Sequence, residues 1–155
     1  MSELIIRNDI TIDAPAKTVW DVLTNPEQTK KYMHGCAAMS DWSVGNPLLW
    51  QAEWEGKEMV FVKGSIVAIK PGKYLAYTSF DPNNAAIPDV PENYLTVTYT
   101  LQENFGVTEL TVTQGDYKEI PDGEKRYSDA TNAGGWDSIL TQIKDISEGV
   151  LSARF

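Results

Sequence analysis

The sequence predicts an α+β domain in which helices lie on one face of a curved antiparallel sheet. Three observations carry this. The chain opens with one alternating segment followed by two short stretches bearing helix-start signals. From about residue 37 to 115 apolar and polar residues alternate between turn residues. The C-terminal segment GGWDSILTQIKDI, residues 134–146, has apolar residues at helical spacing. At 155 residues the chain has the length of one domain, read here as 1–155, and no repeat or low-complexity linker divides it.

The opening segment LIIRNDITI puts Leu4, Ile6, Ile10 and Ile12 on one side and Arg7, Asp9 and Thr11 on the other, as in a half-buried strand. In DAPAKTVWDVL, Pro15 suits the first helical position, and Ala16, Val19, Trp20 and Leu23 form a short apolar stripe. TNPEQTKKYM repeats the start signal. Asn25 is placed as cap and Pro26 in the first turn, with Gln28 able to reach back as in a capping box.

About six strands follow in the alternating region. PLLWQAEW, EMVFVKGSIVAI and KYLAYTSF are separated by turns at EGK and KPGK. YLTVTYTLQ and VTELTVTQ are joined through ENFG as a hairpin. Gly64, inside a strand, marks a bulge or sharp curvature. Residues 81–93, DPNNAAIPDVPEN, hold three prolines and little periodicity and are expected as a long loop.

In the last segment Trp136, Ile139, Leu140, Ile143 and Ile146, continued by Val150, form one stripe of a long amphipathic C-terminal helix. The helix is expected to begin at, or be loosened by, Gly134 and Gly135, and Gly135→Ala is expected to regularise and stabilise it.

Composition excludes several function classes. A single cysteine, Cys36, rules out an internal disulfide, and with no signal-peptide pattern the expected location is cytoplasmic. No apolar run approaches the about 18 residues of a membrane-spanning helix. Thirteen basic against 22 acidic residues give a net charge of −9, which disfavours nucleic acid as a partner. His34 and Cys36 alone do not close a metal site, and no nucleotide fingerprint or nucleophile elbow occurs, so no metal or cofactor is expected.

Alternation turns Tyr77, Tyr99 and Gln114 inward together with Leu75, Val97 and Val112, where they either orient a ligand or hydrogen-bond one another in a filled core. It turns Trp50 inward as well, and Glu53 outward. Five tryptophans, Trp20, Trp42, Trp50, Trp54 and Trp136, supply bulk that lines a cavity or fills one. Asp116, just beyond a strand end, is the one weak candidate for a catalytic acid or base.

Taken in order, IDAPAKTVWDVLTNPEQTKKYM, DWSVGNPLLW, GSIVAIKPGKYLAYTS, GVTELTVTQGD and GGWDSILTQI resemble the SRPBCC or START-like (birch-pollen-allergen-like) superfamily. The branch is the one similar to the C-terminal domain of the activator of heat-shock-protein ATPase. The resemblance implies a helix-grip fold, with a cavity between a curved sheet and the C-terminal helix, and makes Trp136, Leu140 and Ile143 candidates for the cavity wall. The candidate ligand-binding set is then Trp50, Tyr77, Val97, Tyr99, Val112, Gln114, Trp136, Leu140 and Ile143. The implied partner is a small apolar or aromatic molecule. A heat-shock chaperone is the alternative partner, and a cyclase- or hydrolase-type reaction in the same cavity is a further alternative.

Overall fold

The first strand, β1 (Ile6–Ile12), buries Ile6 and Ile12 and leaves Arg7, Asp9 and Thr11 exposed, as its alternation requires. The computed structural model describes residues 4–33, 35–83 and 87–149. His34 and Val150 therefore lie outside the described residues. After β1 come α1 (Ala16–Thr24) and α2 (Pro26–Thr29). Pro15 stands one position before α1, as its N-cap. Asn25 caps α2, its side chain accepting from the Glu27 N–H at 3.0 Å, and Pro26 occupies the first turn. The capping box does not form, because the Asn25 N–H donates to the Asp21 carbonyl at 2.8 Å and the Gln28 side-chain oxygen accepts instead from Lys31 at 2.8 Å.

Six strands follow: β2 (Ala37–Met39), β3 (Pro47–Trp54), β4 (Lys57–Lys70), β5 (Tyr74–Ser79), β6 (Leu95–Asn104) and β7 (Val107–Gly115). The sheet has seven antiparallel strands in the order β1-β7-β6-β5-β4-β3-β2. The chain thus meanders from β2 to β7, and β1 closes on the far side of β7, with Ile6 opposite Gln114 and Asn8 opposite Val112. The β3–β4 and β6–β7 hairpins turn through Glu55-Gly56 and Phe105-Gly106, all at positive φ. That is the backbone a two-residue primed turn needs, and the EGK and ENFG segments provide it.

Both register slips of the sheet involve β4. The register slips against β3 between Trp50 and Gln51, where Val62 and Val60 are the successive partners, and slips against β5 between Ile66 and Ala68. Gly64 lies between these points. A Cβ there would sit 1.7 Å from the Thr78 carbonyl oxygen, so only glycine lets the two strands approach.

Beyond β7 the chain forms two helices where the sequence suggested one long one. α3 (Gly123–Asn132) precedes α4 (Asp137–Ser147). α3 carries almost no apolar stripe, since only Tyr127 and Ala130 reach the core, and a Lys125–Asp129 ion pair at 2.8 Å spans one of its turns. That is why periodicity does not reveal it. The 81–93 loop includes a 3₁₀ turn, Pro91–Asn93, and is fastened to β4: Lys63 pairs with Asp89, which also accepts from the Tyr94 hydroxyl at 2.6 Å. Phe80 stacks on Tyr94 with ring centroids 4.8 Å apart.

The core lies between the concave face of the sheet and α1 and α4. Val19, Val22 and Leu23 of α1, Leu140 and Ile143 of α4, and Ile12, Leu110 and Val112 of the sheet are essentially inaccessible. Among the described residues no helix is long and apolar enough to cross a membrane.

Candidate functional site

The position of α4 decides where the interior is open. At its start, Asn8 of β1 accepts from the Trp136 N–H at 3.0 Å and donates to Asp137 at 2.9 Å. At its end, Glu148 accepts from the Asp13 N–H at 2.7 Å and pairs with Lys144, which also donates to the Thr11 carbonyl at 3.2 Å. The helix is therefore held at both ends over β1, at one edge of the sheet. Gly135 allows the tight entry: its φ is +60°, and an added Cβ would lie 2.5 Å from the Asn8 side-chain oxygen. α4 begins just after the glycine pair, as expected. Gly135→Ala, however, would clash rather than regularise a helix, because Gly135 stands outside it in a left-handed turn.

α4 and the sheet close the concave face at one end of the strands, and at the other end a cavity of about 500 Å³ opens. Its floor is Trp50 of β3, Val62 of β4, Tyr77 of β5, Val97 of β6 and Gln114 of β7. Trp136 and Ile139 form the helix-side wall, and Met33 and Cys36 close the end beyond α2. Ala52, Glu53, Trp54 and Phe61 contribute toward the β3–β4 hairpin. Phe61 and Val62 are sequence neighbours, yet both line the cavity, because the register slip beside them breaks strict alternation. Glu53, expected on the outer face, also borders the cavity while remaining exposed, at the end of β3.

Of the candidate ligand-binding residues, Trp50, Tyr77, Val97, Gln114 and Trp136 come together in this lining. Tyr99, Val112, Leu140 and Ile143 do not reach it. They face inward as alternation and helical spacing require, but they sit where α4 and the sheet are in contact and are buried to within 1% exposure. Met33, Cys36, Phe61, Val62, Ser79 and Ile139 were not foreseen. Ile139 was legible as part of the α4 stripe and Ser79 as the residue two after Tyr77 in β5, whereas the others depend on loop paths and on the β4 slip.

Four aromatic rings, three of them in the lining and Tyr99 behind it, run in file from β3 to the start of α4. Trp50 and Tyr77 have centroids 5.9 Å apart, Tyr77 and Tyr99 6.1 Å, and Tyr99 and Trp136 5.9 Å in an edge-to-face contact. The Trp136 indole N–H donates to the Gln114 side-chain oxygen at 3.0 Å. Burial raises the phenol pKa of Tyr77 and Tyr99, and each hydroxyl feels the other. The two hydroxyls face one another without a well-formed bond, and that of Tyr99 is buried with no partner of hydrogen-bond geometry.

The ionisable side chains among the described lining residues are Cys36, Glu53 and Tyr77. Burial raises the Cys36 thiol pKa, which keeps it protonated and poorly nucleophilic. Asp116 does not line the cavity. Its carboxylate accepts from the backbone N–H groups of Lys118 and Leu4, both at 2.9 Å, and these bonds hold its pKa below the usual range. It caps a 3₁₀ turn, Tyr117–Glu119, and ties down the chain ahead of β1, which are structural duties unlike those of a general acid or base.

The family model described as Activator of Hsp90 ATPase homolog 1-like protein matches residues 13–148. Among solved structures, the chain is similar to the protein ChR145 from Cytophaga hutchinsonii. Identity there is 34%, with 96% of this chain and 97% of that chain covered and a TM-score of 0.74. The fold is also that of the Aha1 dimer from Colwellia psychrerythraea, at 18% identity, 93% and 96% coverage and a TM-score of 0.66. It is likewise shared with an HSP90 activator from Plasmodium falciparum, at 17% identity, 92% and 94% coverage and a TM-score of 0.65. Among curated proteins none matches the chain.

Proposed function

The chain belongs to the Activator of Hsp90 ATPase homolog 1-like protein family, and from that premise we propose that it binds a small apolar or aromatic molecule between its sheet and α4. The observation that carries this reading is the cavity of about 500 Å³, walled largely by aromatic and aliphatic side chains. It falls within the roughly 300–1,000 Å³ usual for small-molecule sites. Trp50, Tyr77 and Trp136 offer ring faces and edges to a planar or aliphatic body, and Gln114 supplies a polar group at its margin. Burial of apolar surface drives uptake, at about 25 cal/mol per Å² before ordering costs.

Titration with N-phenylnaphthylamine, an uncharged fluorophore that brightens in apolar surroundings, tests this. Saturable uptake of one probe per chain is expected, with native mass spectrometry of freshly purified protein showing a co-purified small molecule. A probe that stays dim at every protein concentration overturns the reading.

A second reading, contact with a chaperone of the Hsp90 class, is favoured by the family match and by Trp54. This side chain is 58% exposed beside the β3–β4 turn, and an exposed tryptophan is a frequent anchor at protein interfaces. Co-precipitation with Hsp90 that weakens in Trp54→Ala would support it, and the absence of any complex would end it.

A further inference from the structure

The apolar cavity adjoins a second one of about 210 Å³, and Val62, Ser79 and Gln114 line both. The second cavity is different in kind. Arg126 of α3 stands in its wall with Asp81 and Asn93 from the loop between β5 and β6. The two spaces thus place an apolar compartment beside a polar one, with Gln114 at their junction.

Two donors in the walls of the polar compartment are not fully used. An indole N–H only donates, so the Trp136 bond fixes the Gln114 oxygen as its acceptor and leaves the Gln114 NH₂ as the outward group. That NH₂ has no partner among the described residues. Arg126 is half-buried, and among the described residues its guanidinium makes one long hydrogen bond, Nη1 donating to the Pro121 carbonyl at 3.4 Å. Among the described residues it enters no ion pair. The remaining polar groups are engaged in part: Ser79 donates to the Leu95 carbonyl at 3.5 Å, the Asn93 NH₂ donates to the Pro88 carbonyl at 2.8 Å, and Asp81, which is exposed, accepts from the Asn83 N–H at 2.8 Å. Two donors, the Gln114 NH₂ and the Arg126 guanidinium, are left with bonding capacity to spare, and the second carries a positive charge.

We propose that the ligand is an amphipathic acid, its apolar body in the larger cavity and its carboxylate in the smaller one between Arg126 and the Gln114 NH₂. This rests on the ligand-binding reading above and adds the chemistry of the head group. A guanidinium presents paired N–H groups that match the two oxygens of a carboxylate, and a half-buried cation holds an anion more strongly than an exposed one. An uncharged head would leave the Arg126 charge without a counterpart. A cationic head would be repelled by the Arg126 charge.

Phenylbutyrate and phenylbutanol share one body and differ in the head, and each can be titrated against protein loaded with N-phenylnaphthylamine. At neutral pH phenylbutyrate is expected to displace the fluorophore at a concentration about tenfold lower than phenylbutanol, the scale of one charge-assisted hydrogen bond. Arg126→Gln should erase that preference and Arg126→Lys should keep part of it. Gln114→Glu preserves an acceptor for Trp136 but replaces the NH₂ donor with a negative charge, and it should reverse the preference. Circular dichroism and thermal unfolding establish that each variant is folded.

Fluorophore uptake with equal displacement by acid and alcohol, with displacement by neither, or with an acid preference that survives Arg126→Gln overturns the head-group assignment while the cavity reading stands. Absence of fluorophore uptake removes both.

Discussion

The concave face of the sheet is finished differently at its two ends. At one end of the strands, Leu140 and Ile143 of α4 pack with Ile12, Leu110, Val112 and Tyr99 in a continuous core that leaves each of them at 1% exposure or less. At the other end of the strands, the same kind of inward residue, Trp50 and Val62 with the cross-strand row Tyr77, Val97 and Gln114, meets open space. Both ends carry apolar residues in the same strand alternation, so hydrophobicity does not distinguish them. The difference comes from polar fastenings. Asn8 at one end of α4, and Glu148 with Lys144 at the other, hold the helix over β1 and keep it from settling over the middle of the sheet. A core and a cavity are then the two outcomes of one pattern, separated by where the covering helix is tied.

The strongest way to break this contrast is to remove the bend that makes the face concave. Gly64→Ala would drive a methyl group into the Thr78 carbonyl, and neither strand backbone can move aside without losing ladder bonds. A loss of about 4 kcal/mol or more is expected, at the severe end for single substitutions, read as a large fall in the urea midpoint or failure to fold. Unchanged stability would show that curvature does not depend on this close approach.

Leu140→Ala tests the filled end. Its side chain is 1% exposed and packed among the core residues, so truncation should cost about 3 kcal/mol, part transfer and part cavity. Fluorophore affinity per folded molecule should change far less than stability does, since Leu140 does not line the 500 Å³ space. A parallel loss of affinity would mean that the two regions are coupled.

These effects also show which parts of the molecule could be read beforehand. The strand faces were legible because alternation is a local property, and Ile6, Ile12, Leu75, Val97, Leu110 and Val112 all turn inward as it requires. The hairpin turns were legible because the turn type demands positive φ. The division of the candidate site was not. Whether Tyr99 or Tyr77 meets a cavity depends on the position of α4, which is set by Asn8, a half-buried polar residue with no mark in the sequence to distinguish it from a solvated one. Arg126 was invisible for a related reason: its helix is polar on most faces, and the residues that join it around the smaller cavity come from distant loops and strands. Periodicity shows which face a residue occupies, and the lining of a cavity depends on which other segments stand opposite.

Filling the open end offers a sharper test than deleting the closed one. Val62 is half-buried and lines both cavities. Val62→Phe should place a ring in the empty space, raise stability by up to about 1 kcal/mol, and sharply reduce fluorophore uptake. A stabilised variant with undiminished uptake would place the binding site elsewhere. Strong destabilisation would show that the space is less accommodating than its volume suggests.

The smallest expected effect lies at the boundary between the two regions. Tyr99 belongs to the filled side, yet its ring touches both Tyr77 and Trp136 of the open side, and its buried hydroxyl has no partner of hydrogen-bond geometry. Tyr99→Phe removes an unsatisfied group while keeping the ring, so stability at neutral pH should hold or rise by up to about 1 kcal/mol. The pH dependence gives an independent reading. Burial raises the phenol pKa of Tyr32, Tyr77 and Tyr99 above its ordinary value. Below about pH 10 these groups are protonated in both the folded and unfolded chains, and their contribution is fully present. As pH rises further the unfolded chain releases phenolic protons that the folded chain retains. The unfolded state then binds fewer protons, and stability falls. Tyr99→Phe removes one such group, so its urea midpoint should decline less steeply than that of the wild type above about pH 10. A variant less stable than wild type at neutral pH would instead show that the Tyr99 hydroxyl is satisfied, with Tyr77 as its partner across the boundary.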